Sequence, residues 1–79
     1  MSLAFVLVNC NLGFEKPVIE QLKKIPEVKE ARGTFGAYDI VVKVQTDNIG
    51  ELREAITWKI RKVPMILDTL TLLKVEGQE

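Results

Sequence analysis

The sequence predicts an α+β fold of order β-α-β-β-α-β, a four-stranded antiparallel sheet with two helices on one face. Three observations carry this. Three largely apolar stretches and a weaker, charged one read as strands, the first enriched in β-branched and aromatic residues. Two stretches with apolar residues three and four apart read as helices. Each helix stands between two strands, and two right-handed crossovers put both helices on the same side of the sheet. The 79 residues make one small domain, 1–79.

The first strand runs from Leu3 to Cys10. Phe5 and Leu7 fall on one face, and Ala4, Val6, Val8 and Cys10 on the other. Asn11-Leu12-Gly13 breaks it. A helix follows from about Phe14 to Lys24, because Pro17 is tolerated only in a first turn, where backbone N–H groups lack intrahelical partners. Val18, Leu22 and Ile25 form its apolar stripe, and Pro26 ends it. Val28 to Gly33 is a weaker strand whose Lys29, Glu30 and Arg32 suit an edge. The turn from Thr34 to Ala37 leads into a strand ending near Gln45, with Ile40, Val42 and Val44 on one face and Val41 and Lys43 on the other. Apolar groups on both faces make it central in the sheet.

Asn48-Ile49-Gly50-Glu51 has the spacing of a capping box, with Glu51 reaching back to the cap. The helix it opens carries Ile49, Leu52, Ile56, Ile60 and Val63 at helical spacing and ends at Pro64. Lys59, Arg61 and Lys62 crowd its last turn, where cations complement the helix dipole; a nucleic-acid patch is the alternative reading. Ile66 to Val75 is the last strand, with Leu67, Thr69, Thr71 and Leu73 on one face and Asp68, Leu70 and Leu72 on the other. Gly77-Gln78-Glu79 is a frayed tail.

Eleven basic and eleven acidic residues cancel, so the electrostatic footprint of a nucleic-acid binder is missing and no direct DNA contact is expected. There is no His, which removes the commonest general base and metal ligand; neither a catalytic residue, a metal nor a cofactor is expected. The lone Cys10 fits a reducing cytoplasm and, in an apolar strand, an inert buried thiol. No apolar run is long enough for a membrane span.

Two helices cover one face of the sheet, yet the first strand is apolar on both faces and the last nearly so. With no third helix to cover it, the second face calls for another polypeptide, most economically a second copy in a two-fold dimer with sheets face to face. Trp58 falls opposite the Ile56/Ile60 stripe and points away from the core, either to a contact or flat along its own helix.

The stretch Gly36-Ala37-Tyr38-Asp39 is a polar loop at the mouth of a rigid strand, either a ligand loop or a plain hairpin turn. Gly36 and Ala37 leave backbone N–H groups open to a carboxylate, while Asp39 or the Tyr38 hydroxyl suits an ammonium. Thr69 and Thr71 could add hydroxyls from the last strand, or be ordinary sheet residues.

Phe5-Val6-Leu7-Val8-Asn9, Leu22 to Val28, Gly36 to Val44, Ile60-Arg61-Lys62-Val63-Pro64 and Thr69-Leu70-Thr71 together resemble the effector-binding domain of the Lrp/AsnC family of feast/famine regulators, the RAM domain. The Gly-x-Tyr-Asp loop with its apolar strand is the most specific piece. The resemblance implies a ferredoxin-like βαββαβ sandwich that forms a homodimer through its sheet. It further implies rings of dimers, often octamers, and a small amino-acid-like effector held between dimers. Full-length members carry an N-terminal helix-turn-helix domain. This chain opens directly on the first strand, so the expectation is a stand-alone effector domain or a piece of a longer regulator, able to co-assemble with full-length members. Ala37 replaces a polar residue often found in the loop, and Met65 stands where glycine commonly follows the proline.

The functional expectation is an oligomeric sensor of an amino-acid-like effector linked to transcription regulation. One alternative is a ferredoxin-like dimeric enzyme, for which Asp39 beside Tyr38 is the sole candidate acid/base pair. The other is an oligomerisation module without ligand.

Overall fold

The computed structural model describes residues 1–74. Its elements are β1 (Ser2–Cys10), α1 (Glu15–Lys23), β2 (Val28–Gly33), β3 (Ile40–Thr46), α2 (Ile49–Glu54) with a π-helical continuation (Ala55–Ile60), and β4 (Ile66–Leu73). The expected end of the last strand at Val75 and the tail from Gly77 to Glu79 lie outside the described residues.

The strands form one antiparallel sheet in the order β2-β3-β1-β4, so β3 and β1 are central. The face beneath the helices holds the core. Ala4, Val6 and Val8 of β1, Ile40, Val42 and Val44 of β3, and Val18, Leu22, Leu52, Ala55 and Ile60 of the helices are all buried. The period-2 alternation read from β1 and β3 is the observed one.

The opposite face is uncovered by any part of the described chain. Arg32, Val41, Leu7 and Leu70 lie across it in one row, and Glu30, Lys43, Phe5 and Leu72 in the next. Phe5, Leu70 and Leu72 are exposed there, while Leu7 and Val41 are half-buried. The apolar patch is therefore centred on β1 and β4, and charges collect on the β2 side.

Pro17 sits in the first turn of α1, as its missing N–H requires. The Asn48 side chain caps α2 by accepting from the Glu51 N–H at 2.9 Å. The Glu51 side chain returns no bond among the described residues, so half of the expected box forms. The second helix also departs from the uniform α-helix expected through Val63. From Ala55 to Ile60 its hydrogen bonds lengthen to i→i+5. That register brings residues five apart toward one side, and Ala55 and Ile60 are both fully buried. Ile49, expected in the stripe, is instead exposed at the helix start. Trp58 lies on the outer side, 61% exposed, with the Lys62 ammonium 5.4 Å from its ring centroid. Among the described residues no helix is long and apolar enough to cross a membrane.

Candidate functional site

The loop between β2 and β3 is tied down at its base and open at its tip. The Thr34 hydroxyl donates to the Tyr38 carbonyl at 2.6 Å, and the Thr34 N–H donates to the Asp39 carbonyl at 2.8 Å. The Asp39 N–H donates in turn to the Val8 carbonyl of β1 at 3.0 Å. Tyr38 and Asp39 are half-buried, whereas Phe35, Gly36 and Ala37 are exposed. Gly36 takes φ +120°, a conformation that side-chain-bearing residues rarely adopt, and a Cβ there would meet open space, so the glycine serves the backbone path. The N–H groups of Gly36, Ala37 and Tyr38 donate to nothing among the described residues.

Asp39 has a structural partner. Its Oδ2 accepts from the Cys10 N–H at 3.0 Å, where the β1–β4 register shifts between Asn9 and Cys10. One carboxylate oxygen thus holds the end of β1, and the other makes no hydrogen bond among the described residues. Cys10 is buried, and its thiol is pushed above the usual range by burial first, then by the charges of Asp39 and Glu15. A thiol held protonated in this way is a poor nucleophile.

The structure brings Gly36, Ala37, Tyr38 and Asp39 into one loop. It does not bring Thr69 and Thr71 to them. Those residues pair with Val8 and Val6 on β4, on the helix-side face, with β1 between them and β3. Both are half-buried.

Two further residues share the loop's end of the molecule and were not singled out in the sequence. Phe35 at the loop tip and Leu12 in the β1–α1 turn are almost fully exposed, and Met65 and Leu67 at the start of β4 are exposed as well. A phenylalanine between Thr34 and Gly36, and a leucine between Asn11 and Gly13, are apolar residues within turn chemistry; that mismatch was the available signal. Met65 has φ +72°, the left-handed region, and is the one non-glycine residue there among those described. Its carbonyl accepts from the Asn11 N–H at 2.9 Å, and its Sδ lies 3.2 Å from Asn11 Nδ2.

The Lrp/AsnC ligand binding domain matches residues 3–76. A transcriptional regulator of the helix-turn-helix type from Pyrococcus horikoshii, FL11, is 38% identical over 71 residues, 90% of this chain and 46% of that protein. The chain thus spans about half the length of the curated relatives it matches. Among solved structures, that of FFRP-DM1 is 45% identical with a TM-score of 0.89, covering 95% of this chain and 100% of that one. E. coli AsnC is 26% identical with a TM-score of 0.86, covering 96% of this chain and 52% of that one. These neighbours share the βαββαβ sandwich described above, which is the ferredoxin-like fold of the RAM domain. By sequence and by fold alike, the chain belongs to the Lrp/AsnC family of transcription regulators, as a ligand binding domain.

Proposed function

We propose that the chain is an oligomeric effector-binding module, not an enzyme, that acts in the cytoplasm and binds a small amino-acid-like molecule at the loop from Gly36 to Asp39. The observation that carries the reading is the loop itself. N–H groups of Gly36, Ala37 and Tyr38 that donate to nothing among the described residues precede in the same loop a carboxylate whose position is fixed by Cys10. Such N–H groups suit a carboxylate, and the second oxygen of Asp39 suits an ammonium. The two halves of an amphoteric ligand are thereby matched by groups a few residues apart.

The apolar rows through Leu7, Leu70, Phe5 and Leu72 support a homodimer with sheets face to face. Exposed Leu12, Phe35, Met65 and Leu67 at the loop's end support a second contact, between dimers, of the kind a ring such as an octamer needs. A ligand held there would have a neighbouring copy over it. Thr69 and Thr71, separated from the loop of their own chain, would meet an effector held by a neighbour. Effector binding would then bias assembly, because a ligand shifts an equilibrium by its differential affinity for the two states. Co-assembly with a full-length regulator of the same family would use the same sheet face.

The test is a thermal-shift screen with the twenty amino acids, followed by calorimetric titration of the wild type and Asp39→Asn with whichever raises the midpoint. Asp39→Asn is expected to weaken binding about tenfold or more. Equal affinities would move the site away from Asp39. The bond to Cys10 gives Asp39 a purely structural use, which favours a second reading, an oligomerisation module without effector. Absence of binding by every amino acid would select it.

A further inference from the structure

The segments that follow the two helices line an open cavity of about 340 Å³. The lining comes in two matched halves. Lys24-Ile25-Pro26 follows α1, and Lys62-Val63-Pro64 follows the π-helical segment. Each half is a lysine, a β-branched residue and a proline, so the related β-α-β halves of the chain present the same short motif to one space. Ile25 and Val63 are half-buried and the two lysines are exposed.

The charges at the rim are unequal in their engagement. Lys59 also lines the cavity, but its ammonium is spent on Glu27, at 2.8 and 3.0 Å from the two carboxylate oxygens. Lys24 and Lys62 have no carboxylate partner among the described residues. Lys62 lies instead over the Trp58 ring. Two ammonium groups with no carboxylate partner among the described residues, beside Ile25, Pro26, Val63 and Pro64, fit one carboxylate carrying an apolar chain. A ligand ammonium would be repelled, so an amino acid does not fit as well. The volume lies at the low end of the range for small-molecule sites.

We infer that this cavity is a second ligand site, separate from the Gly36–Asp39 loop, and that it takes a small apolar monocarboxylate between Lys24 and Lys62. The carboxylate draws the Lys62 ammonium toward the cavity and off the indole face, so occupancy alters the environment of Trp58, the only tryptophan in the sequence.

The experiment titrates the full chain with hexanoate, with hexylamine and with hexan-1-ol. It follows Trp58 emission together with the amide signals of Ile25 and Val63 in heteronuclear NMR spectra. Hexanoate is expected to give saturable changes in both readouts, with a Kd on the order of 1 mM or tighter. The alcohol is expected to bind at least about tenfold more weakly and the amine not at all. The double variant Lys24→Met/Lys62→Met keeps the aliphatic stems, and by the amide signals it should lose about tenfold or more in hexanoate affinity. The amide signals of Gly36 to Asp39 should stay unmoved by hexanoate, which separates this site from the effector loop. The inference is overturned if hexanoate leaves the Ile25 and Val63 signals unmoved, or if amine and acid bind alike. It is likewise overturned if the double variant binds as the wild type does, or if the shifts map to Gly36–Asp39.

Discussion

Asp39 Oδ2 accepts a hydrogen bond from the Cys10 N–H at 3.0 Å, so the residue best placed for a ligand's ammonium also secures the end of the central strand β1. The two uses respond differently to substitution. Asn retains an acceptor oxygen at the same place and loses the charge; Ala loses both. Asp39→Ala should cost about 1–2 kcal/mol of stability, and Asp39→Asn clearly less. Urea unfolding followed by circular dichroism measures both. Equal losses would mean that the charge, not the acceptor, holds β1.

The two faces of β1 give opposite outcomes for the same substitution. Leu7 is half-buried on the open face, and Val6 is fully buried beneath the helices. Leu7→Asp should stay folded and sediment as a monomer. Val6→Asp buries an unpaired charge in the core and should unfold, a loss of about 4 kcal/mol or more. Light scattering after gel filtration, with circular dichroism on the same samples, decides. A Leu7→Asp protein that remains dimeric would place the interface elsewhere.

Met65 holds φ +72°, where a residue with a Cβ is disfavoured by about 1–2 kcal/mol. Its side chain is exposed, so little burial is lost on removing it. Met65→Gly should raise stability by about 0.5–1 kcal/mol after the entropy cost of glycine is subtracted. For a domain of this size that is a rise in Tm of roughly 2–8 °C. A fall in Tm would show that the Sδ contact to Asn11 outweighs the backbone strain.

The hydrogen bond from Lys59 holds the Glu27 carboxyl below its ordinary range, against a smaller opposing effect of burial. A depressed carboxylate stabilises the fold above its unfolded-state pKa, and that contribution disappears as pH falls through the folded-state value. The pair is partly exposed, so its worth is under about 1 kcal/mol. The wild type should therefore exceed Glu27→Gln in stability at neutral pH, with the difference shrinking as the solution is acidified and as salt is added. Denaturant midpoints at pH 7 and pH 3 suffice; a difference constant with pH would assign it to packing.

The period-2 pattern made β1 and β3 legible residue by residue, because apolar groups on both faces leave few other placements for Phe5, Leu7, Val6 and Val8. Pro17 and Pro26 bounded α1 for the same local reason. The π-helical turn was not legible. Ile56 and Ile60 lie four apart and suit an α-helix, and the small Ala55 gives no signal of its own burial. The loop's four residues could be named from turn chemistry. The bond that gives Asp39 its second use links positions far apart in sequence, and no local pattern encodes it. The Met65 conformation stands between these cases, since the proline before it marks a turn but the sign of φ follows from the geometry of the closing sheet.

The strand order has a kinetic consequence. β1 pairs with β3 on one side and β4 on the other, and Val6 faces Val42 and Thr71 across those ladders. The earliest strand of the domain to leave a ribosome thus has no partner until β3 emerges, and its second edge stays open until β4 follows. Such non-local pairing makes folding slow for a domain of this size. In that interval the near-continuous apolar run from Leu3 to Val8 is unpaired, and it is the segment with which a nascent copy would meet chaperones or misassemble.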